Sequence, residues 1–149
     1  MRLEGMHRHD SGSSDLLGLT RLEVYPWPMD AGDLHRQVQN AFNSGDADAL
    51  VALYEEDAVM AAPGGEIVRG REAIREQWEG FIALGGTITM VTRHAIEVGD
   101  TALLSNDWHF VGACMELSSR TSEVAHRQND GTWKYVVDHP YSGADLALP

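Results

Sequence analysis

The step from Asp138 to His139 offers general acid or base chemistry, because both side chains can exchange protons near neutral pH in suitable surroundings. The pair ends a predicted strand in which Trp133 and Tyr135 share one face. Strict alternation places His139 on that face and Asp138 on the opposite face. Pro140 follows at once and ends regular pairing, and a bulge at this point would reverse the two orientations. The sequence therefore predicts that one of the pair is the base of a site, or else that Asp138 caps a turn and His139 packs at the rim.

Two further polar residues lie on predicted apolar faces. Tyr54 shares a face of a predicted short helix with Leu50 and Leu53, so its hydroxyl needs a partner and could donate to a ligand oxygen. Asn106 alternates with Leu104 and other apolar residues along a predicted strand, and a buried amide needs partners or water. Both are predicted to border a binding cavity, Tyr54 as a catalytic donor and Asn106 as a ligand contact.

Aromatic residues are predicted to line the same cavity. They come from the third helical stripe and from the apolar face of the strand that carries Asn106: Trp78, Phe81, Trp108 and Phe110. Each of them alone is also compatible with simple core packing. Together they favour a planar, mostly apolar small molecule over a sugar or a phosphate.

The predicted strand over residues 120–128 has no clean apolar face, and its orientation stays open. Inward-facing Glu123 and Arg127 would make a buried charged pair, whereas an inward His126 would be a base in the pocket. Otherwise the strand is exposed and Arg127 pairs with a surface carboxylate. No histidine pair has the spacing of a metal site, and neither a metal nor a cofactor is predicted.

Composition narrows the classes of partner. The 149 residues carry 11 Lys and Arg against 23 Asp and Glu, a formal net charge of −12, which disfavours nucleic acid and anionic membrane surfaces. No apolar run is long enough to span a bilayer, and the charged start does not resemble a secretory signal. Cys114 is the single cysteine and has no partner for a disulfide. We expect a cytoplasmic protein.

Hydrophobic spacing predicts the elements that must position these side chains. The predicted divisions are a flexible arm, a folded domain and a tail: residues 1–32, 33–143 and 144–149. Helices are predicted from Asp33, from about Asp48 and from Gly70, with a short hairpin before the third. Four strands follow over residues 87–139 as an antiparallel meander. Helices followed by strands indicate an α+β fold with a curved antiparallel sheet packed over three helices.

Several motifs carry a family resemblance. Asn43-Ser44-Gly45-Asp46-Ala47-Asp48-Ala49-Leu50, Gly70-Arg71-Glu72-Ala73-Ile74 and Asp130-Gly131-Thr132-Trp133 through Asp138-His139-Pro140 resemble SnoaL-like proteins of the nuclear-transport-factor-2-like superfamily. The resemblance spans about residues 33–143. It implies a cone-shaped α+β domain, usually dimeric, with a cavity at its open end. Such proteins include polyketide cyclases, a steroid isomerase, dehydratases, epoxide hydrolases and binding or assembly modules.

The resemblance implies two classes of function. The first is a cofactor-independent enzyme that performs cyclisation, isomerisation or dehydration on a small hydrophobic carbonyl compound by proton transfer. The alternative is a module that binds a ligand without turnover or mediates assembly. Steroid-isomerase-like chemistry would need a tyrosine and two acids that converge in the cavity. Here only Tyr54 and Asp138 could serve, which disfavours the isomerase among these activities. A homodimer is predicted through the outer sheet face, which carries Leu103, Val111 and Val136.

Overall fold

The computed structural model describes residues 30–143, so most of the predicted arm and the whole tail lie outside the described residues. Within these residues, three helices and seven strands follow one another. They are α1 (Asp33–Asn43), α2 (Ala47–Val51), β1 (Tyr54–Ala61), β2 (Ile67–Arg69), α3 (Arg71–Ile82), β3 (Gly86–Val98), β4 (Thr101–Gly112), β5 (Glu116–Arg120), β6 (Ser122–Arg127) and β7 (Trp133–His139). The predicted α+β class is confirmed.

The strands form one curved, open sheet in the order β2-β1-β7-β6-β4-β3, with β5 paired to β4 beyond β6. All pairs along the predicted meander are antiparallel. The third strand of the meander is longer than predicted and divides into β5 and β6 at Thr121. There the Thr121 hydroxyl accepts the backbone N–H of Asn106 at 2.9 Å, which takes the place of a regular ladder bond. One pair, β1 with β7, is parallel and joins the two ends of the fold.

The helices cover the inner face of the sheet as their apolar stripes predict. In α1 the buried residues Leu34, Val38 and Phe42 recur at helical spacing. The side chain of Asp46 accepts the backbone N–H of Ala49 at 2.9 Å and caps α2.

The prediction that Tyr54 is helical is wrong, because α2 ends at Val51 and Tyr54 opens β1. Pairing with the final strand overrides the local helical pattern: Tyr54 lies opposite Tyr135, whose backbone N–H donates to the carbonyl of Leu53 at 2.8 Å. Tyr54 is nevertheless fully buried, as its apolar neighbours indicated.

A bulge in β7 decides the orientation of the Asp138-His139 step. Val124 of β6 pairs with Val137, but the next residue, Ala125, pairs with Tyr135, so Val136 is an extra residue in β7. Strict alternation is therefore wrong here and the bulged alternative is correct. Asp138 faces inward and is 5% exposed, whereas His139 faces outward and is exposed.

The outer face of the sheet carries a continuous line of apolar side chains, here called the outer apolar row. Directly paired residues point to the same face of a sheet, and the pairings run without interruption across five neighbouring strands: Ile96, Leu103, Val124, Val137 and Val59. Ile96 is 54% exposed and Leu103 is 52% exposed. The predicted apolar outer face is thus present, and it extends over more strands than the residues predicted for it.

Candidate active site

A cavity of about 410 Å³ lies between α3 and the inner face of the sheet. Its wall is mostly apolar, with polar groups gathered where β6 and β7 meet. The lining residues that bear on function are Tyr54, Trp78, Phe81, Trp108, Thr121, Glu123, Tyr135, Asp138 and Tyr141. This volume suits a small molecule of a few fused rings.

Asp138 is held by a chain of hydrogen bonds from two other elements. The hydroxyl of Tyr54 on β1 donates to Asp138 Oδ2 at 2.6 Å. Trp78 Nε1 on α3 donates in turn to the Tyr54 oxygen at 3.2 Å. Asp138 Oδ1 takes no hydrogen bond from the described residues, which leaves this oxygen for a bound molecule.

Burial changes the ionisation of this group. Loss of solvation, followed by the nearby charge of Glu123, raises the pKa of Asp138 from 3.8 to about 8, and the hydrogen bond from Tyr54 offsets part of the rise. Burial also raises the pKa of Tyr54 well above its ordinary value, so its hydroxyl remains a donor. At neutral pH Asp138 is therefore mainly a neutral carboxyl group.

Glu123 brings a second carboxyl group to the same cavity. It is the direct cross-strand partner of Asp138 and is only 4% exposed. Asn106 Nδ2 donates to Glu123 Oε1 at 3.0 Å, and His35 Nε2 lies 2.8 Å from Oε2. The second nitrogen of His35, Nδ1, lies 2.8 Å from the hydroxyl of Thr92. Of the alternatives for the strand over 120–128, Glu123 is inward, but its partner is His35 and not Arg127.

Aromatic rings close the rest of the cavity. Trp78 and Phe81 from α3 face Trp108 from β4, with the rings of Phe81 and Trp108 centred 5.9 Å apart. Trp108 Nε1 donates to the carbonyl of Pro140 at 2.7 Å and so holds the segment after β7 against the cavity. Tyr141 packs edge-on against Trp108 at 6.0 Å.

Three of the predicted site residues do not line the cavity. His139 points to solvent because of the bulge in β7. Asn106 is fully buried beside the cavity and acts through its bond to Glu123. Phe110 is part of the core, where its ring packs against Gly86 and Phe42. The structure does bring together Tyr54, Trp78, Phe81, Trp108 and Asp138.

The remaining charged candidates lie on the outside of the sheet. Arg127 pairs with Glu97 at 3.5 Å, which is the exposed alternative for that strand, and His126 lies 3.3 Å from Glu55. On β4, Asp107 accepts from Arg120 at 2.7 Å, and hydrogen bonding from Arg120 lowers the pKa of Asp107 to about 2. These pairs lie outside the cavity, where the buried carboxyl groups are those of Glu123 and Asp138.

His35 is the main site residue that sequence reasoning missed. It precedes Val38 by three positions and Phe42 by seven, so helical spacing places it on the buried face of α1. A histidine on a buried helical face must find polar partners, so its position in the sequence indicates a polar contact inside the fold. In the structure His35 is 2% exposed. Tyr135 and Tyr141 were also overlooked, although Tyr135 lies on the predicted inner face of β7.

Residues 30–143 show neither a cluster of metal ligands nor a helix suited to cross a membrane. Within this range no three His, Cys, Asp or Glu side chains are grouped as metal ligands would be. None of the helices found there is long and apolar enough to cross a bilayer.

The sequence matches the SnoaL-like domain over residues 34–141, and the protein therefore belongs to the SnoaL-like family. The resemblance inferred from the motifs is confirmed. Comparison of the sequence with curated proteins gave no match.

Similar solved structures share the fold at low sequence identity. A proposed ketosteroid isomerase from Shewanella frigidimarina has a TM-score of 0.64 and 19% identity, covering 76% of this chain and 96% of that one. A proposed dehydratase of the NTF2-like family from Streptomyces avermitilis has a TM-score of 0.62 and 18% identity, covering 74% and 91%. A proposed calcium/calmodulin-dependent protein kinase type II association domain from Thiobacillus denitrificans has a TM-score of 0.63 and 19% identity, covering 74% and 92%. These likenesses establish the NTF2-like fold.

Proposed function

We propose that the protein is a cofactor-independent enzyme that moves a proton on a small hydrophobic carbonyl compound, in an isomerisation or a dehydration. One observation carries the proposal: Glu123 and Asp138 are direct cross-strand partners that face one apolar cavity, each with its own hydrogen-bond donors. With Tyr54 they make the tyrosine and two acids that steroid-isomerase-like chemistry would need. Among the similar structures, one is described as an isomerase and one as a dehydratase.

The two carboxyl groups suit different roles. Asp138 has a pKa of about 8 and is mainly protonated at neutral pH, so its free oxygen can carry a proton toward a carbonyl oxygen of the substrate. Glu123 is held by Asn106 and His35, two groups that donate to a carboxylate. Asp138, which the sequence predicted as a base, therefore becomes the acid of the pair, and Glu123 becomes the base.

The chemical step follows from this division. Glu123 takes a proton from the carbon next to the carbonyl group, and the electron pair of that C–H bond moves into a new C=C bond as the carbonyl oxygen gains negative charge. The carboxyl group of Asp138 donates a hydrogen bond to that oxygen and stabilises it in the apolar cavity. Glu123 then returns the proton to another carbon for isomerisation. In a dehydration it gives the proton instead to a departing hydroxyl group.

Two simple ketones test the proposal. Exchange of the α-protons of 2-tetralone in D₂O reports proton abstraction, and conversion of cyclohex-3-en-1-one to its conjugated isomer reports proton return. We expect Glu123→Gln to lower both rates by about 10²–10⁴-fold, the usual contribution of a general base. Wild-type rates should fall as the pH rises above about 8, because Asp138 must be protonated to act.

Matched surface variants control for the loss of charge. Asp57 is an exposed carboxylate on β1, and Asp57→Asn should leave both rates unchanged. Glu55→Gln removes a glutamate that is paired at the surface with His126. If Glu123→Gln reacts at the rate of Glu55→Gln, Glu123 is not the base. If the wild-type protein reacts no faster than buffer alone, the cavity binds a ligand without turning it over.

We also propose that the protein forms a homodimer through the outer apolar row. A row of five apolar side chains spans roughly 19 Å at the usual strand spacing. The solvent face of an antiparallel sheet is usually polar, and a continuous apolar row on it is typical of a surface that another chain covers. A second copy presents the same row about a two-fold axis, so the two rows can cover each other.

The oligomeric state is measured by sedimentation. Leu103 lies in the exposed part of the row, and Leu103→Asp should convert the dimer to a monomer. Ile67 is 62% exposed on β2 and lies outside the row, so Ile67→Asp is the matched control and should remain dimeric. A 16.4 kDa monomer in the wild-type protein at micromolar concentration would refute the dimer.

A further inference from the structure

A surface groove lies on the opposite side of His35 from the cavity. It has a volume of about 610 Å³ and runs between the start of α1 and strand β3. Its wall includes His35 and Thr92 together with acidic and basic groups: Asp30, Asp33, Arg36 and Glu97. Glu123, the hydrogen-bonding partner of His35, lines the cavity instead. His35 therefore lines the groove directly and is connected to the cavity by its hydrogen bond with Glu123.

Three polar groups connect the two spaces without a gap. Glu123 Oε2 lies 2.8 Å from His35 Nε2, and His35 Nδ1 lies 2.8 Å from the Thr92 hydroxyl. His35 is 2% exposed, whereas Thr92 is exposed to the groove. Every link is within hydrogen-bond distance and every group can both accept and donate a proton.

We propose that His35 and Thr92 form a proton path between water in the groove and Glu123 in the cavity. The inference rests on the proposed function, since it gives Glu123 a proton to exchange. Protonated Glu123 gives its proton to His35 Nε2 while the proton on Nδ1 passes to the Thr92 hydroxyl and from there to water. One proton enters the imidazole as another leaves, so charge and atoms balance. His35 does not touch the substrate and is a positioning and relay residue.

The arrangement exceeds what holding Glu123 in place requires. Asn106 already donates to one oxygen of Glu123, and Nε2 of His35 serves the other. The second nitrogen of a buried histidine also needs a partner, and here that partner is a hydroxyl that is itself exposed to the groove. The groove wall at the Thr92 end of the path is polar, with the side chains of Asp30, Asp33, Arg36 and Glu97.

The path matters most when the cavity is full. An apolar substrate that occupies the cavity excludes water from Glu123 on that side. Isomerisation that returns the same proton to the substrate does not need the path, whereas exchange of that proton with solvent does. The ratio of solvent exchange to isomerisation therefore reports how fast the path exchanges the proton on Glu123 relative to the return of that proton to the substrate.

Substitutions at Thr92 test the path in the free protein and in the reaction. In protein labelled with ¹⁵N-histidine, we expect Thr92→Val to slow the exchange of the His35 ring proton with water by roughly tenfold, because a methyl group replaces the hydroxyl at Nδ1. Thr92→Ser keeps the hydroxyl and should exchange like the wild type. Thr92→Ala admits water to Nδ1 and should also exchange rapidly, which separates a blocked path from general loosening.

The same variants are then assayed with cyclohex-3-en-1-one in D₂O. Thr92→Val should incorporate less deuterium per turnover than the wild type and Thr92→Ser. Equal ring-proton exchange in the wild type, Thr92→Val and Thr92→Ser would overturn the path, even if the ketone reacts. If the ketone does not react but ring exchange follows the expected order, the path stands and the proposed function fails.

Discussion

Replacing Asp138 with asparagine should change how the stability of the protein depends on pH. The asparagine side chain has nearly the same shape and stays neutral, and its amide can still meet the Tyr54 hydroxyl, which donates to Asp138 at 2.6 Å in the wild type. In the folded wild type the pKa of Asp138 is about 8, against 3.8 as its ordinary value. Between these values the folded state holds a proton that the unfolded chain has lost.

The sign and size follow from proton linkage. Because the folded state binds the extra proton, the free energy of unfolding falls as the pH rises. For each pH unit the folding equilibrium constant decreases about tenfold. Over the roughly four pH units between the two values the loss reaches about 5 kcal/mol. Below about pH 4 the proton is bound in both states, and above about pH 8 it is bound in neither, so the curve levels at both ends.

Urea unfolding followed by tryptophan fluorescence measures this at a fixed protein concentration. The wild type should lose stability relative to Asp138→Asn steadily from about pH 4.5 to about pH 8, and the comparison cancels the general repulsion from a net charge of −12. Asp57→Asn, at an exposed carboxylate, should run parallel to the wild type. A constant difference between the wild type and Asp138→Asn across this range would mean that Asp138 is ionised in the folded protein, and the acid role assigned to it would be wrong.

Three further substitutions test the packing around the site. Tyr54→Phe leaves Asp138 and Trp78 without their shared partner, so it should cost about 1–3 kcal/mol in urea unfolding and raise the pKa of Asp138 further; an unchanged midpoint would contradict this. The added methyl group of Gly86→Ala would clash with the ring of Phe110 and the carbonyl oxygen of Val111, and the substitution should cost about 1–3 kcal/mol. The methyl group of Gly80→Ala would meet no atom, so this control should not destabilise the protein. Trp108→Phe removes the bond to Pro140 and should speed amide hydrogen exchange in the segment after it, at residues 141–143.

Much of the fold could be predicted from the sequence because its signals are local. The apolar stripe of α1 and the alternation along β4 each report which face is buried, and both agree with the structure. The burial of Asn106 could be predicted in the same way, since an amide on an apolar face has to find a buried partner. The structure supplies that partner as Glu123.

The parts that could not be predicted depend on contacts between distant strands. The residues around Val136 alternate acceptably in either phase, and only pairing with β6 shows that Val136 is an extra residue. Tyr54 follows a short helix and resembles its continuation until the final strand pairs with it. The roles proposed for Glu123 and Asp138 could not be predicted for the same reason. Their separate environments are supplied by distant elements, namely α1, β1 and β4.

The parallel pairing of β1 with β7 has a consequence for the order in which the protein folds. Tyr54 and Asp138 are 84 positions apart, so the bond between them closes only after the last strand has been synthesised and has docked. Contacts of such long range slow folding, since a large loop must be closed before the contact repays its entropy. We expect a nascent chain to form its helices and the apolar inner face of its meander before it has a complete site. Until β7 docks, that face is open to misassociation, and Asp138, the proposed acid, is the last part of the site to be added.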